Sequence, residues 1–254
     1  MEREKHLAVE TSGLTLSVAV QVRREEELED VVEALRSAGA EGTWVQLCLS
    51  AEILQQVSVW DLLDPLHDAE VHVASIKVMG SANPALELIE KLAVVASETA
   101  GRIAIISASG ITRLEALESW LQVFASYQAK LLLEPKSAQE TRQLYSKLRN
   151  LIGGVLGLSQ VQERFPSTEY FLRVLTPYLQ ITRNVQISNY ERGEAAKILA
   201  PGVYNNPFLL RVLVSGGYSG QLTIGYEKAP TTLHFLLEER RAVDSFIRSL
   251  EEKI

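Results

Sequence analysis

The sequence predicts a single α/β domain in which eight parallel strands, each followed by a helix, close into a (β/α)8 barrel. Short apolar stretches alternate with longer stretches of helical periodicity, an order that builds a parallel sheet through right-handed crossovers. The strand–helix units number eight, which favours closure over the competing arrangement, a doubly wound open sheet. The chain has 254 residues, and α/β barrels of about 250 residues form one domain. The domain is expected to span residues 1–254, with 1–12 as an N-terminal tail.

The elements follow in order. Residues 14–22 alternate and are rich in Val and Leu, and form the first strand. A polar-headed helix over 25–38 stops at Gly39. Strand two is 44–49, and Ser50 caps a helix over 51–63. Strand three is 71–78. Asn83 and Pro84 supply an N-cap and a first-turn proline for a helix to about residue 99. Strand four is 103–107, and Thr112–Glu115 reads as a capping box opening the next helix. Strand five is 130–134, followed by a second capping box from Ser137 to Glu140. Strand six is 155–158, and its helix starts after Pro166 and Ser167. Strand seven, 181–187, leads through a loop at Pro201 and Gly202 to a helix starting near Asn206 and Pro207. Strand eight is 221–226. The last helix starts at Thr231 or Thr232 and carries Leu233, Leu236, Leu237, Val243, Phe246, Ile247 and Leu250 on one face.

Composition narrows the function classes. With 46% hydrophobic and 22% charged residues the chain is globular rather than disordered. Acidic residues outnumber basic ones 32 to 25, for a net charge of −7, which opposes a nucleic-acid backbone as partner. Cys48 is the only cysteine, so no disulfide forms within the chain. The charged start and the absence of a long apolar run predict a cytoplasmic protein with no membrane partner. None of His6, His67, His72 and His234 stands at the end of a strand, where a metal ligand or general base belongs.

The last third carries a recognisable pattern. A strand at 181–187, a loop, a helix near Asn206, Gly217-Tyr-Ser-Gly220 and a final apolar strand follow one another. This order resembles the end of the xylose isomerase-like TIM barrels, the sugar phosphate isomerase/epimerase superfamily. The resemblance implies a divalent-metal site built of two Glu, one Asp and one His on strands five to eight. Leu131-Leu-Leu-Glu134 is similar to the family's strand five, ending in a ligand Glu. In the strand-six segment Gly157 stands for the Asp and Gln160 for the His, and in strand seven Asn184, Gln186 and Asn189 replace ionisable residues. In strand eight Gly225 falls at the ligand position with Glu227 as a second acid; a register shifted by two makes Glu227 the ligand.

One ligand of four survives in the first register and two in the second, so no metal and no cofactor is expected. The resemblance then implies a metal-free binding protein or pseudo-enzyme for a small polar or phosphorylated ligand. The alternative is an active sugar or sugar-phosphate isomerase/epimerase, with Glu134 as base and Lys136 or Lys77 in place of the metal. A divalent ion enters only under that alternative. Glu134 and Lys136 stand two apart on an extended segment and can point the same way, either as an interior ion pair or at an oxyanion. Ser107, Gln160, Gln186, Asn189, Arg192 and Glu227 are the ligand-binding candidates, beside Arg23, Ser75, Ser109 and Gln162. The segment Ser107-Ala-Ser-Gly110 reads either as a phosphate cradle or as a plain turn and cap. The superfamily's endonuclease branch needs several His for its metals, which this chain lacks. A homo-oligomer is open, with Trp44, Trp60 and Trp120 as anchors.

Overall fold

The computed structural model describes residues 13–80, 84–109, 111, 114–151 and 154–253. The barrel strands are β1 (Thr15–Val22), β2 (Trp44–Ser50), β3 (His72–Met79), β4 (Ile103–Ser107), β5 (Lys130–Glu134), β6 (Leu156–Val161), β7 (Thr182–Ile187) and β10 (Gln221–Ile224). They form a closed parallel barrel in the ring order β1-β10-β7-β6-β5-β4-β3-β2. Thr15 to Val18 register with Gln221 to Ile224 and close the ring. A small antiparallel pair, β8 (Tyr190–Glu191) and β9 (Glu194–Ala195), stands in the stretch expected to be loop.

Alternation decides which side chains reach the barrel axis. In β1, Leu16, Val18, Val20 and Val22 join the hydrophobic core. Ser17 points the other way and meets Thr223 of β10 at 3.0 Å. The lower interior is polar where barrels of this class are usually filled by branched aliphatics. Gln221 donates to Ser17, Ser75 and Thr223, Thr223 donates to Asn184, and Asn184 donates to Gln46 and Ser159. All seven are buried. Burial without these bonds costs far more than each bond contributes, so the layer holds as a set.

The helices cover the outside: α1 (Glu26–Ser37), α2 (Ala51–Gln56), α3 (Val59–Asp68), α4 (Leu86–Ser97), α5 (Leu114–Ser126), α6 (Ala138–Leu148), α7 (Thr168–Leu175), α8 (Asn206–Ser215) and α9 (Leu233–Glu251). Gly39, at φ +61°, ends the first as expected. The single helix expected over 51–63 is two. Val57 is extended and Ser58 caps a new start, accepting from the Asp61 N–H at 3.1 Å. Helix α4 starts later than expected: Ala85 is its N-cap, so Pro84 precedes the helix instead of opening it. The Asn83 cap and the Thr112–Arg113 half of a capping box lie outside the described residues. Strand β6 continues to Val161, three residues past its expected end.

Candidate functional site

Four charged side chains converge at the C-terminal mouth. Lys77, near the end of β3, places its Nζ 3.0 Å from Glu134 Oε2 and 3.0 Å from Glu227 Oε1. Arg164 comes from the 3-10 turn Gln162–Arg164 after β6. Its Nη2 bonds Glu134 Oε1 at 2.5 Å and Glu227 Oε1 at 3.2 Å, while Nη1 donates to Pro135 O. Cations and carboxylates thus alternate around a ring with no net formal charge. Glu134 is 3% exposed and Lys77 9%. Ser159 donates to Glu134 Oε2 at 3.2 Å and links the ring to the polar layer beneath. The Gln186 Oε1 lies 3.5 Å from Lys77 Nζ, a marginal contact.

Burial works against the Lys77 ammonium, but Glu134 and Glu227 outweigh it and hold the lysine above its ordinary pKa. Burial likewise opposes the Arg164 charge and the same carboxylates overcome it. For Glu227, burial pulls towards the neutral acid, and Lys77 and Arg164 override it, so its pKa falls. Buried Cys48 is pushed up to about 11, by burial first. It is an inert thiol at neutral pH.

Glu227 is past the end of β10, and its placement depends on a buried carboxylate. Glu163 accepts the Glu227 and Lys228 N–H groups at 2.8 and 3.1 Å, and Lys228 Nζ donates to the Glu163 carbonyl. Burial and the neighbouring Glu163 raise the Tyr190 phenol well above its ordinary pKa. The strand end, the β6 turn and the hairpin are thereby tied into one wall.

Two cavities meet at the ring. One of 200 Å³ is lined by Ser107, Glu134, Lys136 and Arg164 together with Lys77 and Glu227. The other, 830 Å³, starts at Lys77, Gln186 and Glu227 and runs out between the β1–α1 and β10–α9 connections.

A divalent ion needs several carboxylate or imidazole donors turned to one point. Among the described residues no group of three or more His, Cys, Asp or Glu is arranged to hold one. Glu134 and Glu227 do converge, but on an ammonium and a guanidinium. That donor set does not fit a divalent ion.

No protein-family model and no curated protein matches the sequence. Solved structures match the fold over nearly the whole chain. A xylose isomerase-like TIM barrel protein from Mycobacterium smegmatis, in complex with magnesium, superposes with a TM-score of 0.66 at 14% identity, covering 92% of this chain and 96% of that one. This chain folds as a xylose isomerase-like TIM barrel. D-allulose 3-epimerase from Methylomonas sp., in complex with D-allulose, matches at TM-score 0.59 and 14% identity, with 94% and 95% of the two chains covered. Endonuclease IV from Thermus thermophilus matches at 0.53 and 12%, over 94% and 100%.

Within the xylose isomerase-like frame, the sequence-predicted residues divide. Glu134, Lys77, Gln186 and Glu227 come together at the mouth, and Ser107 lines the smaller cavity. Glu227, not Gly225, reaches the ring, as in the shifted register; a Cβ at 225 would meet Ala19 at 2.7 Å and the Gln186 amide at 3.2 Å. Lys136 lines the rim but forms no ion pair with Glu134, whose cations are Lys77 and Arg164. Gln160 faces outward and donates to Thr141 of α6. Ser159 is the β6 residue at the level of Glu134, two places on from Gly157. Asn189 is a loop clamp, donating to Lys197 O and Ala200 O and accepting from the Tyr190 and Tyr204 N–H groups. Arg192, at φ 54°, is exposed in the turn between β8 and β9 and lines neither cavity described above.

The secondary candidates divide too. Arg23 lines the larger cavity, and Ser75 sits in the interior layer. Gln162 bonds Asn206 and the Ser188 N–H. The Ser109 N–H donates to Ser107 Oγ, while Gly110 lies outside the described residues. His72 stacks on Trp44 at 5.1 Å at the opposite end of the barrel, His67 and His234 are exposed, and His6 lies outside the described residues. Trp120 is buried and Trp60 is 56% exposed. Arg164 was missed because it follows the strand instead of ending it. Charge balance could have found it, since buried Glu134 with Glu227 beside it leaves a single lysine one cation short.

Proposed function

We propose that this barrel binds a small polar ligand of the sugar or sugar-phosphate class at its mouth without a divalent ion. Lys77 and Arg164 supply the positive charge that the ion would bring. The observation that carries the reading is Lys77 Nζ at 3.0 Å from both Glu134 and Glu227, the two acids nearest to a metal-ligand role. An ammonium held there donates hydrogen bonds to hydroxyl or phosphoryl oxygens and, unlike a metal, cannot be removed by a chelator. The Methylomonas epimerase, whose structure holds D-allulose, supports the ligand class. No helix among the described residues is long and apolar enough to cross a membrane. The single buried thiol is in keeping with a reducing, cytoplasmic setting.

A second reading, a sugar isomerase or epimerase, is favoured by the two carboxylates flanking one ammonium. Glu134 would take the proton next to a carbonyl, and Lys77 would hold the enediolate oxygen. Against it, both Glu134 oxygens are already engaged, one by Arg164 and the other by Lys77 and Ser159. Thermal shift with Mn, Mg, Co and Zn, then with a panel of sugars and sugar phosphates, separates the readings. Metal-free binding predicts no metal shift and a sugar-class shift that disappears in Lys77→Met. A metal stabilisation abolished by Glu134→Ala sinks it, and turnover of any panel sugar lost in Glu134→Gln promotes the enzyme.

A further inference from the structure

The two cavities at the ring differ in chemistry as well as size. The 200 Å³ chamber presents Ser107, Lys136, Arg164 and Glu134, with Lys77 and Glu227 at its inner edge. The 830 Å³ chamber has a polar rim and apolar flanks: Val31 and Ala34 from α1 face Pro230, Leu233 and Leu236 from the approach to α9 and its first turn. Glu27 and Arg23 on its rim already have partners, while Asp30 is exposed. Glu27 accepts the Arg23 N–H and pairs with Arg24, and the Arg23 guanidinium donates to Gln21. On the apolar flanks Ala34 and Pro230 are exposed, Val31 and Leu233 half-buried and Leu236 buried, so the first four are the apolar surface a ligand can cover. Met79 lines both chambers, and its unbranched thioether adapts to whatever lies across the junction.

Volume points the same way. Cavities of roughly 300–1,000 Å³ hold drug-sized ligands with most of their surface buried. A single sugar ring fits the small chamber and would leave most of the 830 Å³ one empty. We infer that the ligand is amphipathic: a hydroxyl-rich head in the small chamber against Lys77 and Arg164, joined to an apolar, ring-bearing group between α1 and α9. This rests on the sugar-class reading of the site and adds the second half of the molecule.

The test uses the full chain and matched pairs of probes, the methyl and phenyl glycosides of D-glucose, D-galactose, D-mannose and D-xylose, titrated by calorimetry. For each head that binds, the phenyl member is expected to bind about tenfold or more tighter, as burial of one ring predicts. Ala34→Glu places a carboxylate on the apolar flank. Residue 34 is exposed and Glu is a good helix former, so the fold tolerates it. The phenyl-to-methyl ratio should then fall towards one. Equal binding of the pair in the wild type, or a ratio that Ala34→Glu leaves intact, overturns the amphipathic ligand while the sugar-class reading stands. Failure of every glycoside, methyl and phenyl alike, overturns both.

Discussion

At Lys77 two forces oppose each other, and the sign of the outcome sets the behaviour of the site. Burial penalises the ammonium, and two carboxylates at 3.0 Å overcome the penalty. Removing one partner of such a cluster is worse than removing both, because a buried charge is left uncompensated. Lys77→Met is therefore expected to lower stability by about 3–5 kcal/mol in urea denaturation. Adding Glu134→Gln to it should recover a large part of that loss. A Lys77→Met protein as stable as the wild type contradicts this reading of the ring. The pH dependence follows from the directions of the shifts. Glu227 is held below its ordinary 4.5, so its contribution is present above that value and is lost as pH falls through the lower folded value. Lys77 is held above its ordinary 10.5, so its contribution is present below that value and is lost as pH rises through the higher folded one. Urea midpoints between pH 3 and 7 should fall less steeply towards acid in Glu227→Gln than in the wild type; parallel slopes would remove Glu227 from the account. Glu134, Lys77 and Glu227 were legible because strand ends put side chains at a barrel mouth. Gln160 was not, since β6 continues to Val161 and the alternation that turns Ser159 inward turns Gln160 outward.

Among the elements, the connection after β7 departs furthest from the expectation. Residues 188–205 looked like plain loop, but they are held by buried amides. Asn189 serves four backbone groups, and Asn206 donates to Ser188 O and Ile198 O. Glu239 of α9, 4% exposed, accepts the Ile198 N–H. An amide at a strand end can line a pocket or staple a loop, and single-residue chemistry does not distinguish the two. The partners are non-local and appear only in the fold. Asn189→Ala leaves several buried backbone groups unpaired and is expected to cost about 3 kcal/mol. Asn189→Asp does not rescue it, because a carboxylate oxygen then faces the carbonyls of Lys197 and Ala200. Limited proteolysis is the matching readout, with new cleavage expected between residues 190 and 204 in both variants. Resistance equal to wild type would show that the loop is held by other contacts. Helix starts were legible at Ser50, Ser137, Ser167 and Thr232, each of which accepts an N–H of the first turn. Ser58 caps in the same way, but Val57 and Val59 on either side of it continue the apolar pattern of a single helix across the break.

Across the whole molecule, frame and chemistry separate. The barrel superposes on a magnesium-bound neighbour over 92% of its length at 14% identity, so alternation and element count preserve the fold while side chains diverge. If Lys77 and Arg164 take the role of an ion, removing both should expose an unsatisfied acidic pair, Glu134 and Glu227, with the Gln186 carbonyl oxygen beside it. Two carboxylates and an amide oxygen, with water completing the shell, suit a hard divalent ion such as Mn or Mg. The double variant Lys77→Ala/Arg164→Ala is therefore expected to be destabilised in chelator and rescued by millimolar Mn. Saturating the new site would return about 2.7 kcal/mol at a hundredfold excess over its dissociation constant. The wild type should show no such rescue, because its ring has no net charge to attract the ion. A wild type stabilised by Mn as strongly as the double variant, or a double variant indifferent to it, would show that Lys77 and Arg164 fill space at the mouth without replacing an ion's charge.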